Sequence, residues 1–325
     1  MPKYVLTGVG GNIGSIAADY AIEIARPDQK FTFTTMKTEK IPEESLKRWK
    51  AAGVEVLTAS YDEPDSLASA FRDAESVNLI STWLLGDTRR RQHKAVIDTA
   101  KACGVKKITY TSFTGAGLEK DLPFLPQDHK YTEGLIYARE RKIVNPSNLI
   151  SGLEYRIQRN YLYANNVPTL FAPSWKFCGD KWTQNSGETP GAYVAREDCG
   201  RVHAALLLGH GEPNTVYNIS GPEAVTDKAV MEYICKKTGY KCEIQAMTDE
   251  ELDKYWTEKG LPRTVFEDFS KLPMKLCIPD LVSTGEVMRR GLMSEVTDDV
   301  EKLTGRKPKS VWEVVDEYVN ILPKP

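Results

Sequence analysis

Short apolar runs alternate with amphipathic stretches along the first half of the chain. Residues 3–7 (Lys3-Tyr4-Val5-Leu6-Thr7) read as a strand, and an alanine-rich stretch over 15–25 follows with helical character. The pair recurs as a strand over 31–35, a helix over 43–52 that Gly53 ends, and a strand over 54–57. A helix over 64–71 has Pro64 near its first turn and Asp62 or Glu63 as its cap, as helix starts favour. Strands over 77–81 and 107–111 flank a helix over 90–103 that Gly104 stops. Strands alternating with helices of this length predict a doubly wound parallel α/β sheet covered on both faces. In such sheets ligands lie beyond the carboxyl ends of the strands, which fixes where a site is sought.

The pattern then loosens. A sixth strand is expected over 153–156, and residues 160–170 are aromatic-rich and helical in part. A Gly/Pro/Asn-rich section over 179–191 reads as loop or short hairpin. A helix over 197–208, a strand over 215–219, a helix over 226–238 and a strand over 241–245 follow, and the remainder is mostly helices broken by Gly260, Pro262, Pro273 and Pro279. The expected organisation is a dinucleotide-binding domain over 1–157, to which 192–221 returns, and a smaller, mostly helical substrate domain from 158–191 and 222–325. The natural ligand site is the cleft between them.

Composition narrows the function classes. With 43 basic and 45 acidic residues in 325, the net charge of −2 creates no field for nucleic acid or an anionic membrane. Arg89-Arg90-Arg91 is a sharp basic cluster, read as a solvated helix face or an anion contact. The six cysteines are scattered, and the Cys235/Cys242 spacing matches no common zinc arrangement, so no metal is expected. No stretch approaches the length of a membrane-spanning helix, and the first glycine turn comes too early for a secretory leader. A cytoplasmic protein with reduced thiols, monomeric or homodimeric, is the expectation.

Chemistry enters with the turn after the first strand, Gly8-Val9-Gly10-Gly11-Asn12-Ile13-Gly14. Strand, tight glycine turn and helix start together offer free backbone N–H groups and a positive dipole end to a pyrophosphate. Gly8 or Gly10 supplies unusual backbone angles, Gly11 permits close approach of the ligand, and Gly14 lets the helix pack near the strand. A bare structural turn is the alternative. The second strand ends Thr34-Thr35-Met36-Lys37-Thr38-Glu39-Lys40, with no carboxylate at its tip to hold a free ribose diol and two lysines close behind. Lys37 or Lys40 can instead meet a 2′-phosphate, so NADPH is preferred to NADH. Tyr61 and Asp62 fall where adenine would lie, and Ser81 and Thr82 on the path towards nicotinamide. Trp83 either stacks on a flat acceptor or packs the cleft wall.

Ser112 ends the fifth strand where an active-site hydroxyl would stand. His129 sits just before or in the first turn of a helix through Tyr131 to Arg141, four residues from Glu133, so the two could orient one another. A neutral imidazole there can donate a hydrogen bond or proton near pH 7; a solvent-facing cap is the other reading. Asn160, after the sixth strand, is placed to hold the carboxamide or the substrate. Tyr161 and Tyr163 add aromatic area, with core packing as an equal explanation.

These pieces together resemble the NmrA-like group of atypical short-chain dehydrogenase/reductases, in the branch that holds an NADPH:quinone oxidoreductase and triphenylmethane reductase. The likeness spans nearly the whole chain. It rests on Gly8, Gly11 and Gly14, on Gln92-His93 with Val96-Ile97 and Ala100-Lys101, on Gly104-Val105-Lys106 and Ile108 to Ser112, on His129 and Glu133, and on Tyr155-Arg156, Arg159-Asn160 and Tyr163. Tyr217-Asn218-Ile219 and Leu303-Thr304-Gly305-Arg306 with Pro308 complete it. The resemblance implies a Rossmann domain with a small substrate domain above its cleft, and NADPH as cofactor. Met36 stands where such relatives carry arginine, leaving the phosphate to Lys37 or Lys40. Typical short-chain dehydrogenases pair Tyr with Lys four residues on; here Tyr131 meets Leu135 and Tyr137 meets Arg141. A conjugated acceptor needs little acid help, so the expected activity is hydride transfer from NADPH to a quinone-like or other planar conjugated carbonyl molecule. His129, Ser112, Asn160 and Tyr161 are the catalytic candidates. The alternative is a dinucleotide-binding redox sensor that acts through a protein partner.

Overall fold

The computed structural model describes residues 1–137 and 152–325. Seven strands form one parallel sheet: β1 (Lys3–Leu6), β2 (Lys30–Thr35), β3 (Glu55–Thr58), β4 (Ala74–Leu79), β5 (Lys107–Phe113), β6 (Glu154–Asn160) and, later in the chain, an edge strand at Thr215–Ile219. Their order is β3-β2-β1-β4-β5-β6 and then that edge strand. The order reverses direction between β1 and β4, which opens a crevice above their carboxyl ends.

Helices α1 (Asn12–Glu23) and α2 (Glu43–Ala51) cover one face, and α3 (Pro64–Phe71), α4 (Asp87–Ala102) and α5 (Phe124–Tyr137) cover the other. The inner strands β1, β2, β4 and β5 are largely buried, whereas β3 and the edge strand at Thr215–Ile219 are half-exposed. The expected Rossmann-type sheet is present. Some boundaries differ. β4 begins at Ala74, earlier than the expected 77, and α4 begins at Asp87 behind Gly86, whose φ of 64° suits only glycine without strain. β6 runs on to Asn160 because every residue from Glu154 finds a partner in β5. The expected helix over Tyr131 to Arg141 starts earlier, at Phe124, and Arg141 lies outside the described residues.

The C-terminal lobe has its own apolar core, built on Trp175, Tyr193, Trp256 and Val314. After α6 (Ala172–Phe177), the segment read as a loop or short hairpin contains β7 (Lys181–Gln184). Its partner is not local: following α7 (Arg196–Leu207), the edge strand β8 (Thr215–Ile219) and α8 (Asp227–Thr238), β9 (Glu243–Ala246) pairs with β7 in parallel, Lys181 facing Glu243. Trp182 anchors the strand, stacking on Phe171 at 5.7 Å between ring centroids. From this lobe α9 (Asp249–Glu258) packs against α10 (Ile278–Arg289), which contacts α5.

Helix α7 returns to pack on α1, and Gly200 permits it: a Cβ there would lie 2.6 Å from Ile16 Cγ2. A buried polar chain ties α7 to the sheet. Asn78 Nδ2 donates to His203 Nε2 at 2.9 Å, and His203 Nδ1 donates to Gln158 Oε1 at 3.2 Å. Burial pushes His203 down to about 3, so it stays neutral.

Candidate cofactor and substrate cleft

A cavity of about 560 Å³ lies over the sheet's crevice and runs from the glycine turn to the C-terminal lobe. At its start, Gly8 has φ of 71°, so of the two candidates it is Gly8 that supplies the left-handed angle. The Gly11 N–H donates to Gly8 O at 2.9 Å and closes the turn. The remaining glycines are bare for different reasons. A Cβ on Gly14 would sit 2.1 Å from Gly8 O, and one on Gly10 would sit 2.6 Å from Thr35 Oγ1. A Cβ on Gly11 would meet protein only at ordinary contact, 3.4 Å from Gly8 O, so packing does not demand glycine there. Gly11 lines the cavity as N-cap of α1, with no side-chain cap and no acidic residue in the first turn. The free N–H groups of that turn suit an anion. Gly8, Gly11, Asn12, Ile13 and Gly14 all line the cavity.

At the tip of β2, Thr34, Thr35 and Met36 form the wall, with Met36 62% exposed. Lys37 and Lys40 are exposed on the turn that follows, outside the lining. Beyond β3, Tyr61 faces the cavity and its hydroxyl donates to Ile80 O at 3.2 Å. Burial pushes that phenol up to about 12. Asp62 does not line the cavity: it accepts from Arg91 Nη1 at 2.6 Å and Gln92 Nε2 at 2.8 Å. The neighbour that does is Gln92, whose buried Oε1 has no partner.

Ser81, Thr82 and Trp83 continue the wall beyond β4. Ser81 Oγ donates to Thr111 O at 2.7 Å, whereas the buried Thr82 Oγ1 is unpartnered. Trp83 stands at the rim, 58% exposed. Thr82 and Gln92 both stand in the cavity wall, although their two unpartnered atoms are themselves closed off from it.

The deepest polar groups sit between β5, α4 and α5. Ser112 Oγ donates to Glu133 Oε1 at 2.6 Å. Glu133 also accepts from Arg159 through Nε at 2.9 Å and Nη2 at 2.6 Å, and from the Tyr137 hydroxyl at 2.8 Å. Such a two-pronged, nearly buried ion pair holds Ser112 from behind. Glu133 is therefore not the partner of His129, although they are four residues apart on α5. His129 lies inside the helix, only 6% exposed, and is no helix cap. Its Nε2 accepts from Arg89 Nη1 at 3.3 Å and its Nδ1 faces the Tyr110 hydroxyl at 2.7 Å. Desolvation, then the charge of Arg89 and the neighbouring His93, hold the imidazole well below its usual pKa, so it is neutral at pH 7.

Arg89, a residue read only as part of a basic cluster, is almost fully buried here. Its Nε donates to Thr82 O at 3.1 Å and Leu84 O at 2.6 Å. The next arginine, Arg90, pairs with buried Asp128 at 2.9 Å. Lys130 turns away from the cavity to Glu119 O at 3.2 Å. At β6, Asn160 is buried behind the wall: its Oδ1 accepts from Gln158 at 2.8 Å and its Nδ2 donates to the Tyr163 hydroxyl at 3.1 Å. Both ends of the amide are engaged, and the cavity is lined instead by Tyr161 and Tyr163. Burial, with lesser help from Glu295 and Asp299, raises Tyr161 to about 12. Phe113, Phe171, Leu276 and Asp280 close the far end. Neither α10 nor Arg196, which also lines the cavity, carries a sequence motif that would have marked it.

Among the described residues no group of three or more His, Cys, Asp or Glu could hold a metal ion, and no helix is long and apolar enough to cross a membrane.

The NmrA-like family model matches residues 3–274, and the chain belongs to that family. It is 26% identical to quinone oxidoreductase 2 of Escherichia coli over 273 residues, 83% of this chain and 85% of that protein. The fold matches the Escherichia coli NADPH-dependent quinone oxidoreductase complexed with NADPH at a TM-score of 0.76, with 24% identity and 98% and 99% of the two chains covered. It also matches Citrobacter sp. triphenylmethane reductase complexed with NADP(H), at a TM-score of 0.73, 22% identity and coverage of 98% and 100%.

Proposed function

We propose that the protein is a reductase that takes hydride from NAD(P)H, with NADPH preferred, and delivers it to a planar conjugated carbonyl, quinone-like or related aromatic molecule. The observation that carries this reading is one continuous cavity over the sheet's crevice. It joins a glycine turn with free N–H groups, a middle section of Tyr61, Ser81, Thr82 and Gln92, and an aromatic end walled by Phe113, Tyr161, Tyr163 and Phe171. A phosphate-bearing, polar and extended group suits the first two sections; a flat acceptor suits the third. NADPH and a quinone are the ligands named for the relatives above, and the cavity's order of surfaces matches that pair.

When bound, the nicotinamide supplies the hydride. The chain does the rest. The first turn of α1 holds the pyrophosphate, and Lys37 or Lys40 meets the 2′-phosphate from the solvent side. Ser112, fixed by Glu133, presents a polar edge at the tip of β5. His129 steadies Arg89 and, through it, the strand-tip carbonyls of Thr82 and Leu84. No lysine lies four residues after Tyr131, and an electron-delocalising acceptor lets its product protonate from water.

The test is NADPH oxidation across naphthoquinones, enones, aldehydes and cationic dyes. Turnover on the conjugated acceptors and little on simple aldehydes is the expected pattern. Tight NADPH binding with no turnover on any of them would replace this reading with the dinucleotide-sensing one.

A further inference from the structure

We propose that Asp280 selects acceptors carrying a hydrogen-bond donor, a free hydroxyl or amino group on the planar ring system. The proposal rests on the reading above for where the acceptor sits.

Among Arg, Lys, Asp and Glu, three residues line the cavity: Arg89, Arg196 and Asp280. Two of them are already engaged. Arg89 is held by two backbone carbonyls and His129. Arg196 Nη2 donates to Asn166 Oδ1 at 2.6 Å, and its guanidinium lies 5.5 Å from the centre of the Tyr163 ring.

Asp280 differs. It is the acidic residue of the lining, contributed by α10 at the aromatic end, and its carboxyl makes no hydrogen bond among the described residues. Its oxygens are also absent from the sealed polar atoms of the interior, so they open on the cavity. The charged group that acts on it across the cavity is Arg89, through its field alone, and the buried Cys277 thiol lies close by at the start of the same helix. Thr284, one turn along α10, and Leu276 flank it on the lining.

A carboxylate in a largely apolar wall with no donor is costly, and a ligand O–H or N–H placed there restores the missing bond. A site arranged in this way rejects the analogue that lacks the donor more strongly than an apolar pocket rejects a change of size. Asp280 stands on the C-terminal lobe, away from the glycine turn, so it acts on the acceptor and not on the dinucleotide.

The experiment uses the full chain with NADP⁺ present and measures Kd by quenching of tryptophan fluorescence. The probes are 6-hydroxy-1,4-naphthoquinone and its methyl ether. The wild-type protein should bind the free hydroxyl about 10-fold more tightly or better, which is the worth of one hydrogen bond to a charged group. Asp280→Leu should abolish that preference, and Asp280→Asn, which keeps one acceptor oxygen, should keep part of it. An unchanged NADPH Kd in both variants shows an intact fold. Equal affinities in the wild type, or a preference that survives Asp280→Leu and Asp280→Asn undiminished, overturn the proposal. Because Kd is the readout, a preference lost with Asp280 but no NADPH oxidation would overturn the reductase reading alone, and turnover without any preference would overturn Asp280 alone.

Discussion

Arg89 Nη1 donates to His129 Nε2 at 3.3 Å, and this one contact decides what the imidazole can do. A guanidinium is only a donor, so Nε2 accepts and the ring proton resides on Nδ1, which faces the Tyr110 hydroxyl at 2.7 Å. Both nitrogens are engaged and the ring is neutral. His129 thus acts as a positioning residue for Arg89 and Tyr110, rather than as a proton donor that titrates near neutrality.

Replacing it with alanine leaves Arg89 without that acceptor beneath the strand-tip loop. His129→Ala should lower kcat/KM for a carbonyl acceptor by up to about 10²-fold through misplacement, with NADPH affinity nearly unchanged. His129→Gln, whose amide oxygen can accept from Arg89, should recover part of the loss. The wild-type pH profile of kcat/KM should show no imidazole ionisation between about pH 5 and 8. Full activity in His129→Ala, or a wild-type step near pH 6.5 that the variant lacks, contradicts the assignment.

The glycine turn separates binding from folding. Gly11→Ala puts a methyl group into the cavity with no protein clash, so the variant should fold with a nearly wild-type Tm and bind NADPH at least about 10-fold more weakly. Gly14→Ala drives its methyl to 2.1 Å from Gly8 O and should lower Tm sharply. Calorimetric titration and thermal melts on the pair check this. Unimpaired NADPH binding by Gly11→Ala would remove the pyrophosphate from the turn.

Asp280 makes a stability prediction independent of any ligand. Desolvation, only partly offset by Arg89, raises its pKa from 3.8 to about 6. The folded state therefore holds a proton that the unfolded state has released between those values. Its contribution is fully present below about pH 4 and is lost as pH rises through about 6. Asp280→Asn does not titrate, so near pH 8 it should be more stable than wild type, by something on the order of 2–3 kcal/mol. The gain should vanish below about pH 4. Denaturant unfolding at both ends of that range measures it; a pH-independent difference would show that Asp280 ionises as it does in water.

Cofactor preference turns on the exposed edge beyond β2. Lys37→Ala should weaken NADPH several-fold and leave NADH unaffected, because only the former offers a 2′-phosphate. Met36→Arg should strengthen NADPH binding, since a guanidinium matches phosphate in a two-pronged way that an ammonium does not. Direct titration of both cofactors decides it, and equal losses for NADH and NADPH in Lys37→Ala would place the lysine elsewhere.

Much of the fold was legible because its signals are local. The strand–helix alternation and the glycine turn each need only a few neighbouring residues, and the parallel sheet follows from them. The strand at Lys181–Gln184 was hidden because its partner is Glu243–Ala246, far along the chain, and its surroundings are rich in turn residues. The cavity lining was legible where strand tips define it, at Gly8, at Gly11 to Gly14, and at Ser81, Thr82 and Ser112. Spacing misled where several partners were available: Glu133 shares a helix face with His129, yet it binds Arg159 and Ser112. Asn160 and Asp62 have the right chemistry for ligands but are taken up by protein neighbours. Arg89 and Asp280 gave no signal, because a buried arginine in a basic run and an aspartate in a proline-broken helix look like surface residues until the fold brings them to one cavity.

The central claim is that hydride passes from a nicotinamide to a conjugated acceptor in this cleft. The most direct measurement compares the rate of naphthoquinone reduction by NADPH with that by NADPH carrying deuterium on one or the other face of the nicotinamide C4. The account predicts turnover with a primary isotope effect for one face and none for the other, since a fixed cavity presents a single face. Binding of NADPH with no oxidation by any conjugated acceptor, or oxidation insensitive to deuterium on both faces under single-turnover conditions, would contradict it.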